Sequence, residues 1–574
     1  YAELTLAKGL VLRTTLGGDI LDNKSNNYAS RNTFMSGNIG SASVVADQFF
    51  SWLSENTLTY SRVFGTDHSL TALAGYTFQE SRFESVTANA SNFNTDFATY
   101  NNLGAGATLS TPGSNATQWG LISYLSRINY GYSNRYLLTL TARRDGSSRF
   151  GPKNKFGFFP SGAFAWRVAN EKFMNNQKVF SDLKFRISYG LTGNQEIGDY
   201  RFLPALSAVS YIFGGQPGSR SIGSVPGGIS NMDLRWEKNA QLDIGFDMAF
   251  LNNRVQVTVD YYNKRTSDLL FDVNIPLTTG FGTALKNIGS VENKGWELEV
   301  STTNVDTRRF TWKTDFNIAA NKNKILKLDG RSEFLSGLGS GHLQISNPVL
   351  MKVGIPLGSF YGREMDGIFQ NQAEIDKSGQ KSSKPGDIRY RDLNADGVIN
   401  DNDRSVIGNG YPKLIGGLNN TVNFNGFELT VFFNGSYGSK ILNLTRFDLY
   451  SLNGQQQAKE IVNRWTTTNP STTIPRANIA GGQKILSSFQ IEDGSYLRLK
   501  NLSLGYNLPQ HLIRPLALSS CKVYVAAQNL ATFTNYSGYD PEVNFRGNNS
   551  ISQSLDYGTY PAAKTILFGI NLKF

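Results

Sequence analysis

The strict alternation of apolar and polar residues constrains this chain more than any other feature. Across Gln241–Phe250, Leu242, Ile244, Phe246, Met248 and Phe250 alternate with Gln241, Asp243, Gly245 and Asp247. After the turn Asn252-Asn253, Val255, Val257, Val259 and Tyr261 alternate with Arg254, Gln256, Thr258 and Asp260. A period of two puts successive side chains on opposite faces of a strand, so one face is oily and the other polar. A central sandwich strand would bury few such carboxylates and amides. The pattern recurs in Tyr136–Arg143, in Phe427–Phe433 after the hairpin signal Asn425-Gly426, and in the last residues, where Ile566, Phe568, Ile570, Leu572 and Phe574 share a face. About seventeen such segments follow one another, many near the ~10 residues that a tilted strand needs to cross a bilayer.

The connections add direction. Short ones fall at Ala7–Gly9, Gly65–Asp67, Ser133–Arg135, Asn252-Asn253, Val305–Thr307 and Asn425-Gly426. Between them lie long ones, near 21–49, 81–117, 194–237, 269–290, 322–412, 439–493 and 532–563. Tight turns at one end and long loops at the other are the habit of outer-membrane barrels. The sequence therefore predicts an all-β fold, a transmembrane antiparallel β-barrel with long extracellular loops. A final strand running inward puts every long loop outside, and Phe574 on the lipid face suits that orientation.

Composition agrees. There are 26 tyrosines, 37 phenylalanines and 57 glycines, against 18% charged residues, a balance that favours pleated strands and turns. Mean hydropathy is -0.31, and no run approaches the ~18 apolar residues of a membrane helix. The formal charge of +11 comes from scattered Lys and Arg without a basic run or RNA-binding motif, so nucleic acid is not an expected partner. Cys521, alone of its type, excludes an internal disulfide and reads as packed inside a strand. The histidines, His68, His342 and His511, are too far apart for a zinc or triad spacing, and Gly190–Tyr200 lacks the ending of a phosphate loop. No catalytic set emerges, so the chain reads as a non-enzyme.

Five stretches resemble the SusC/RagA group of TonB-dependent outer-membrane transporters. They are Tyr189-Gly-Leu-Thr-Gly-Asn-Gln195, the segment Gly386–Arg404, Asn463-Arg-Trp-Thr-Thr-Thr-Asn-Pro470, the segment Asp493–Asn507, and Gln528–Glu542. The resemblance implies a barrel of about 22 strands, of which residues 1–574 would be the C-terminal part. It implies bacterial outer-membrane location, energy from TonB, a SusD-like surface lipoprotein over the mouth, and pairing of two such complexes. Import of oligosaccharides or, in the RagA branch, peptides follows from it too. The N-terminal domain, plug and first five strands of such transporters are not matched. Seventeen strands alone would leave two open edges in lipid, so further strands are expected beside them.

The sharpest local motif lies in the 322–412 loop. Asp392, Asn394, Asp396, the backbone carbonyl of Val398, Asn400 and Asp403 stand at or near the positions of a calcium loop, with Gly397 at its turn. Asp403 takes the place of the usual bidentate Glu, and no helices flank the loop. The expected cofactor is a structural Ca²⁺ pinning a ~90-residue outer loop; the bland alternative is an Asx-rich turn. Gln455–Trp465 reads as a short helix. Tyr361, Phe369, Tyr536 and Tyr539 are candidates for stacking on sugars, against the commoner reading as packing or girdle aromatics. Competing functions are a siderophore or cobalamin receptor, a passive porin, and a calcium-dependent surface adhesin or glycan-binding protein. The adhesin leaves the one-sided long loops unexplained.

Overall fold

A computed structural model describes all residues of the chain except 34–36, 38, 213–219, 329, 338–344, 346, 451–456, 478–484 and 548. Seventeen strands carry the alternating segments. In chain order they are β1 (Ala2–Ala7), β2 (Leu10–Ala29), β3 (Ser41–Phe64), β4 (His68–Phe93), β5 (Gly113–Tyr132), β6 (Tyr136–Ser147) and β7 (Phe156–Arg167). Next come β8 (Phe180–Asn194), β9 (Glu237–Phe250) and β10 (Val255–Ser267). The series ends with β11 (Ser290–Asp306), β12 (Phe310–Lys327), β13 (Leu414–Phe424), β14 (Phe427–Tyr437), β15 (Tyr496–Asn507), β16 (Ser520–Thr534) and β17 (Thr565–Lys573). The chain divides into two compact units, with β1–β7 in the first but for Arg167, β11–β17 in the second, and residues of β8–β10 in both.

In the first unit each of β1–β7 pairs antiparallel with the next, as in Leu16↔Ser54 between β2 and β3 and Leu140↔Gly162 between β6 and β7. Tight turns make this meander possible. Gly9 sits at φ +81°, and a Cβ there would stand 2.3 Å from the Ser61 carbonyl oxygen, so only glycine fits. The apolar face stays uncovered: Ile128, Leu138 and Leu140 are 46%, 39% and 49% exposed, although they lie mid-strand. An exposed oily face this regular belongs against lipid. Near the 133–135 turn, Tyr132, Tyr136 and Trp166 form a ladder of stacked rings 6.3 and 6.5 Å apart, the amphipathic band expected at a membrane interface.

Several long connections prove shorter than the sequence suggests, because the strands outrun the bilayer. β2 and β3 stay paired up to Ala29↔Ser41, and β4 runs to Phe93. Above the membrane no lipid face is needed, so alternation lapses while the ladder goes on, joined by Asp22–Gln48 and Asp47–Ser85 hydrogen bonds. Two connections on the short-turn side are longer than a tight turn; residues 168–179 and 508–519 carry brief helical turns. In the first unit Phe150, Phe159, Ile197, Leu234 and Trp236 form a buried cluster at the loop end of the strands.

In the second unit β11–β17 form an equivalent antiparallel meander. Phe316, Leu418, Phe433 and Leu499 lie in register across β12–β15 on the apolar face. Cys521 is buried in β16, as its sequence setting predicts. Among the described residues no helix is long and apolar enough to cross a membrane.

Candidate substrate path and outer-loop body

The polar face of the second unit gathers charge. Arg186 on β8 donates to Asp247 (2.8 Å) and Asp260 (2.9 Å), and Lys184 reaches Asp247 at 2.8 Å. The alternation that makes one face oily thus places these groups together on the other. A hollow of about 600 Å³ on this face is lined by Asp260, Glu297, Glu299, Asn317, Tyr496 and Glu542. Such carboxylates and amides suit a hydrated cargo rich in hydroxyl or amine donors.

Arg498 marks where the strands meet the outer segments. It is 1% exposed, and its guanidinium donates to Asp540 at 2.6 Å, to Glu542 at 2.5 Å and to the Thr532 hydroxyl at 2.9 Å. The Tyr496 hydroxyl joins Glu542 at 2.7 Å, and Asp540 also accepts from the backbone N–H of Glu542 and Ala562. A buried guanidinium needs this many acceptors, since its charge is costly without them. The cluster ties the 535–564 segment to β15.

The long outer connections fold into packed structure of their own. Glu333–Ser336, Val349–Lys352, Ser359–Arg363 and Arg404–Asn409 make a four-stranded sheet, and Val349, Met351 and Phe360 beneath it are almost wholly buried. It docks on the polar face of β12, where Ile325 N–H donates to the Ile355 carbonyl at 2.9 Å and Leu357 N–H to Asn323 Oδ1 at 2.7 Å. Lys440–Asn443 pairs with Ile491–Asp493 and, in parallel, with Leu555–Asp556. The Gly386 and Trp465 stretches noted in the sequence meet in space. Gly386 has φ +90°, and a Cβ there would stand 2.4 Å from the Trp465 ring. The indole donates to Gln370 at 3.0 Å, and Arg476 pairs with Asp387 at 2.7 Å.

The structure corrects several expectations. Of Gln455–Trp465, residues 455 and 456 lie outside the described residues, and the rest forms only the short 3-10 turn Lys459–Asn463. No side chain caps its start, and Trp465 N–H turns instead to the Ile474 carbonyl. An α-helix lies upstream, at Thr445–Leu449. Phe369 and Tyr536, offered as stacking rings, are 0% and 5% exposed and serve the core, with the Tyr536 hydroxyl on Asp556. Tyr361 is half-buried beneath the Arg404 guanidinium, while Tyr539 is 82% exposed. His342 lies outside the described residues. Sequence reasoning missed Arg498 as a linchpin: 42 residues separate it from Asp540, and nothing local signals the pairing.

The calcium-type loop closes on itself through Asx hydrogen bonds. Asp392 Oδ2 accepts from Gly397 N–H (2.8 Å), Asn394 Oδ1 from Asp396 N–H (3.1 Å) and Asp396 Oδ1 from Val398 N–H (2.8 Å). Asn400 caps a short turn, accepting from Asn402 N–H. Asp403, wholly buried, accepts from Leu393 N–H (2.9 Å) and Asn400 N–H (2.8 Å). Burial opposes its charge, but these backbone donors, with Asn394 N–H and Arg363, hold its carboxyl below the usual range. Asp392 Oδ1 is buried and has no hydrogen-bond partner among the described residues. Among the described residues, no three His, Cys, Asp or Glu side chains are gathered closely enough to share an ion.

Residues 3–530 match the family model described as TonB dependent receptor-like, beta-barrel. The chain belongs to this receptor family. It is 38% identical, over its full length and 57% of the relative's, to TonB-dependent receptor P3 of Formosa agariphila. To TonB-dependent receptor SusC of Bacteroides thetaiotaomicron it is 32% identical, over 80% of this chain and 44% of that one. The RagAB peptide transporter structure superposes with a TM-score of 0.86 at 28% identity, covering all of this chain and 61% of that one. The chain thus spans somewhat over half the length of the curated relatives that it matches throughout. Membership explains the two faces: in a receptor barrel the oily one meets lipid and the polar one lines the lumen.

Proposed function

We propose that this chain forms the barrel wall and outer loops of a bacterial outer-membrane importer, powered through TonB and working with a SusD-like surface lipoprotein. Its cargo is an oligosaccharide or a peptide. The observation that carries the reading is the lumenal wall, where Arg186, Asp247, Asp260, Glu297 and Glu299 offer polar contacts behind a lipid-facing shell. Similarity to SusC and to the RagAB structure supports the partner and the energy source. A mild-detergent pull-down of the full-length receptor from its host tests it. Recovery of a surface lipoprotein, together with uptake that stops when TonB is depleted, is the expected result. A receptor that purifies without such a partner and conducts without TonB contradicts it.

We also propose that Asp392, Asn394, Asp396, the Val398 carbonyl, Asn400 and Asp403 hold a structural Ca²⁺. The unpartnered Asp392 Oδ1 supports this, since a carboxylate oxygen withdrawn from water without a donor is costly and a hard cation would satisfy it. The ion would supply positive charge that draws the loop oxygens together, with no part in chemistry. Full-length receptor treated with chelator should show faster proteolysis within 322–412, reversed by calcium and absent in Asp392→Asn. Equal cleavage with and without chelator contradicts the site.

A further inference from the structure

On the apolar face of the second unit a shallow groove of about 820 Å³ crosses β12–β16, walled by Phe316, Ile318, Leu418, Phe433, Leu497 and Phe533. Its floor is Gly416 and Gly435, which sit directly opposite each other on β13 and β14. Neither leaves easy room for a side chain: a Cβ would stand 2.7 Å from the Asn317 carbonyl oxygen at Gly416, a clash, and 3.0 Å from that of Tyr496 at Gly435, a tight contact. The close backbone approach leaves a trough in an otherwise filled surface.

Above the groove the same face turns basic. Lys294 and Lys322 lie directly opposite each other on β11 and β12, two like charges in register, an arrangement that costs stability unless an anion lies between them. Lys324 follows on the same face, opposite Glu292, which also comes within 3.6 Å of the Lys294 ammonium. Three cations and one carboxylate leave a positive excess. Just below them is Trp296, 43% exposed, at the level of an interfacial aromatic. Lys322 lies four residues beyond Ile318 in the groove wall, roughly 13 Å along a strand. It lies twelve residues beyond Phe310, whose ring meets Phe424 beside the short turns. That separation is ~40 Å along the strand, or ~30 Å along the bilayer normal at a tilt of about 40°, enough to place the lysines past the apolar band. They stand at the long-loop end, on the outer leaflet.

We propose that this face binds a phosphorylated, multiply acylated lipid of the outer leaflet, the lipid A anchor of lipopolysaccharide. Its phosphate sits among Lys294, Lys322 and Lys324, and one acyl chain lies in the Gly416–Gly435 groove. Charge complementarity selects an anionic lipid, and the uncovered oily trough beneath accepts its chain. The site rests on the outer-membrane reading above.

The test uses the full-length receptor in detergent, titrated with purified lipid A and read by native mass spectrometry. Heat-modifiable gel mobility is checked first. Wild type without that shift is no barrel and would sink the outer-membrane reading rather than the lipid site. With the shift present, wild type should hold one lipid A, and phosphatidylethanolamine should bind far more weakly. Exchanging Lys294, Lys322 and Lys324 for Gln should weaken binding about fivefold per lysine. Ile318→Trp, which fills the trough from its wall and leaves the lysines in place, should weaken it independently. Folded variants that bind lipid A as wild type does overturn the proposal. So does equal binding of phosphatidylethanolamine, or a receptor dimer that Ile318→Trp dissolves with no lipid present.

Discussion

Replacing Arg498 with methionine removes a charge and its donors while keeping a long side chain in place. Arg498 is nearly inaccessible, and the carboxylate opposite it, Asp540, is only 11% exposed. Removing one partner of a buried ion pair typically costs about 3–5 kcal/mol, because the other is left buried and uncompensated. Glu542, 39% exposed, is freer to turn to water and adds little. Asp540 would keep only the N–H donors of Glu542 and Ala562. The loss therefore falls on the docking of the 535–564 segment, while the strand ladders of β15 with β14 and β16 are untouched. Hydrogen exchange at the Glu542 and Ala562 amides reads this local opening directly. A cost of about 3 kcal/mol corresponds to a loss of protection of roughly a hundredfold. Asp540→Asn in the same background should restore part of it by removing the stranded charge. Protection within about threefold of wild type in Arg498→Met would refute the assignment of Arg498 as the tie.

Other outcomes follow from single features. Gly386→Ala should loosen the contact with Trp465 by about 2 kcal/mol or more, since φ is +90° and the new methyl meets the indole ring; Trp465 fluorescence would report it. Tyr390 is buried in the outer-loop body, and burial pushes its hydroxyl up to about 12. Its folded value exceeds the unfolded one of about 10, so this contribution is intact below pH ~10 and lost as pH rises toward ~12. Limited proteolysis of the outer loops should accelerate across that window, and Tyr390→Phe should remove the step. Asp403 has the opposite sense. Its lowered carboxyl supports the loop above the ordinary carboxylate range and ceases to as pH falls below it, so in chelator the 392–403 loop should open on acidification, and Asp403→Asn should open it at neutral pH.

The wall of the fold was legible because lipid enforces a period of two. Leu138, Leu140, Phe433 and Phe568 were readable one strand at a time, and the alternating segments at 136–143, 241–250, 255–261 and 427–433 all lie in strands. The outer parts were less legible for the same reason. Beyond the bilayer Asn26 pairs with Val44 and Ser25 with Val45, and no lipid face demands alternation, so paired strand read as loop. The Arg498 cluster and the Gly386–Trp465 contact depend on residues distant in sequence, which periodicity cannot see. In the 392–403 loop the spacing suggested oxygens converging on an ion, while the structure shows backbone amides hydrogen-bonded to several of them.

The central claim, that the alternating oily face meets lipid while its neighbours line a wet lumen, is tested most directly on β14. Single cysteines placed at positions 428 to 433 of the full-length receptor in vesicles, with Cys521 replaced by serine, can carry spin labels read against a lipid-soluble and a water-soluble relaxant. The account predicts a period of two: Leu429, Val431 and Phe433 meet the lipid-soluble relaxant, and Glu428, Thr430 and Phe432 the aqueous one. Uniform access to the aqueous relaxant at all six positions would contradict it.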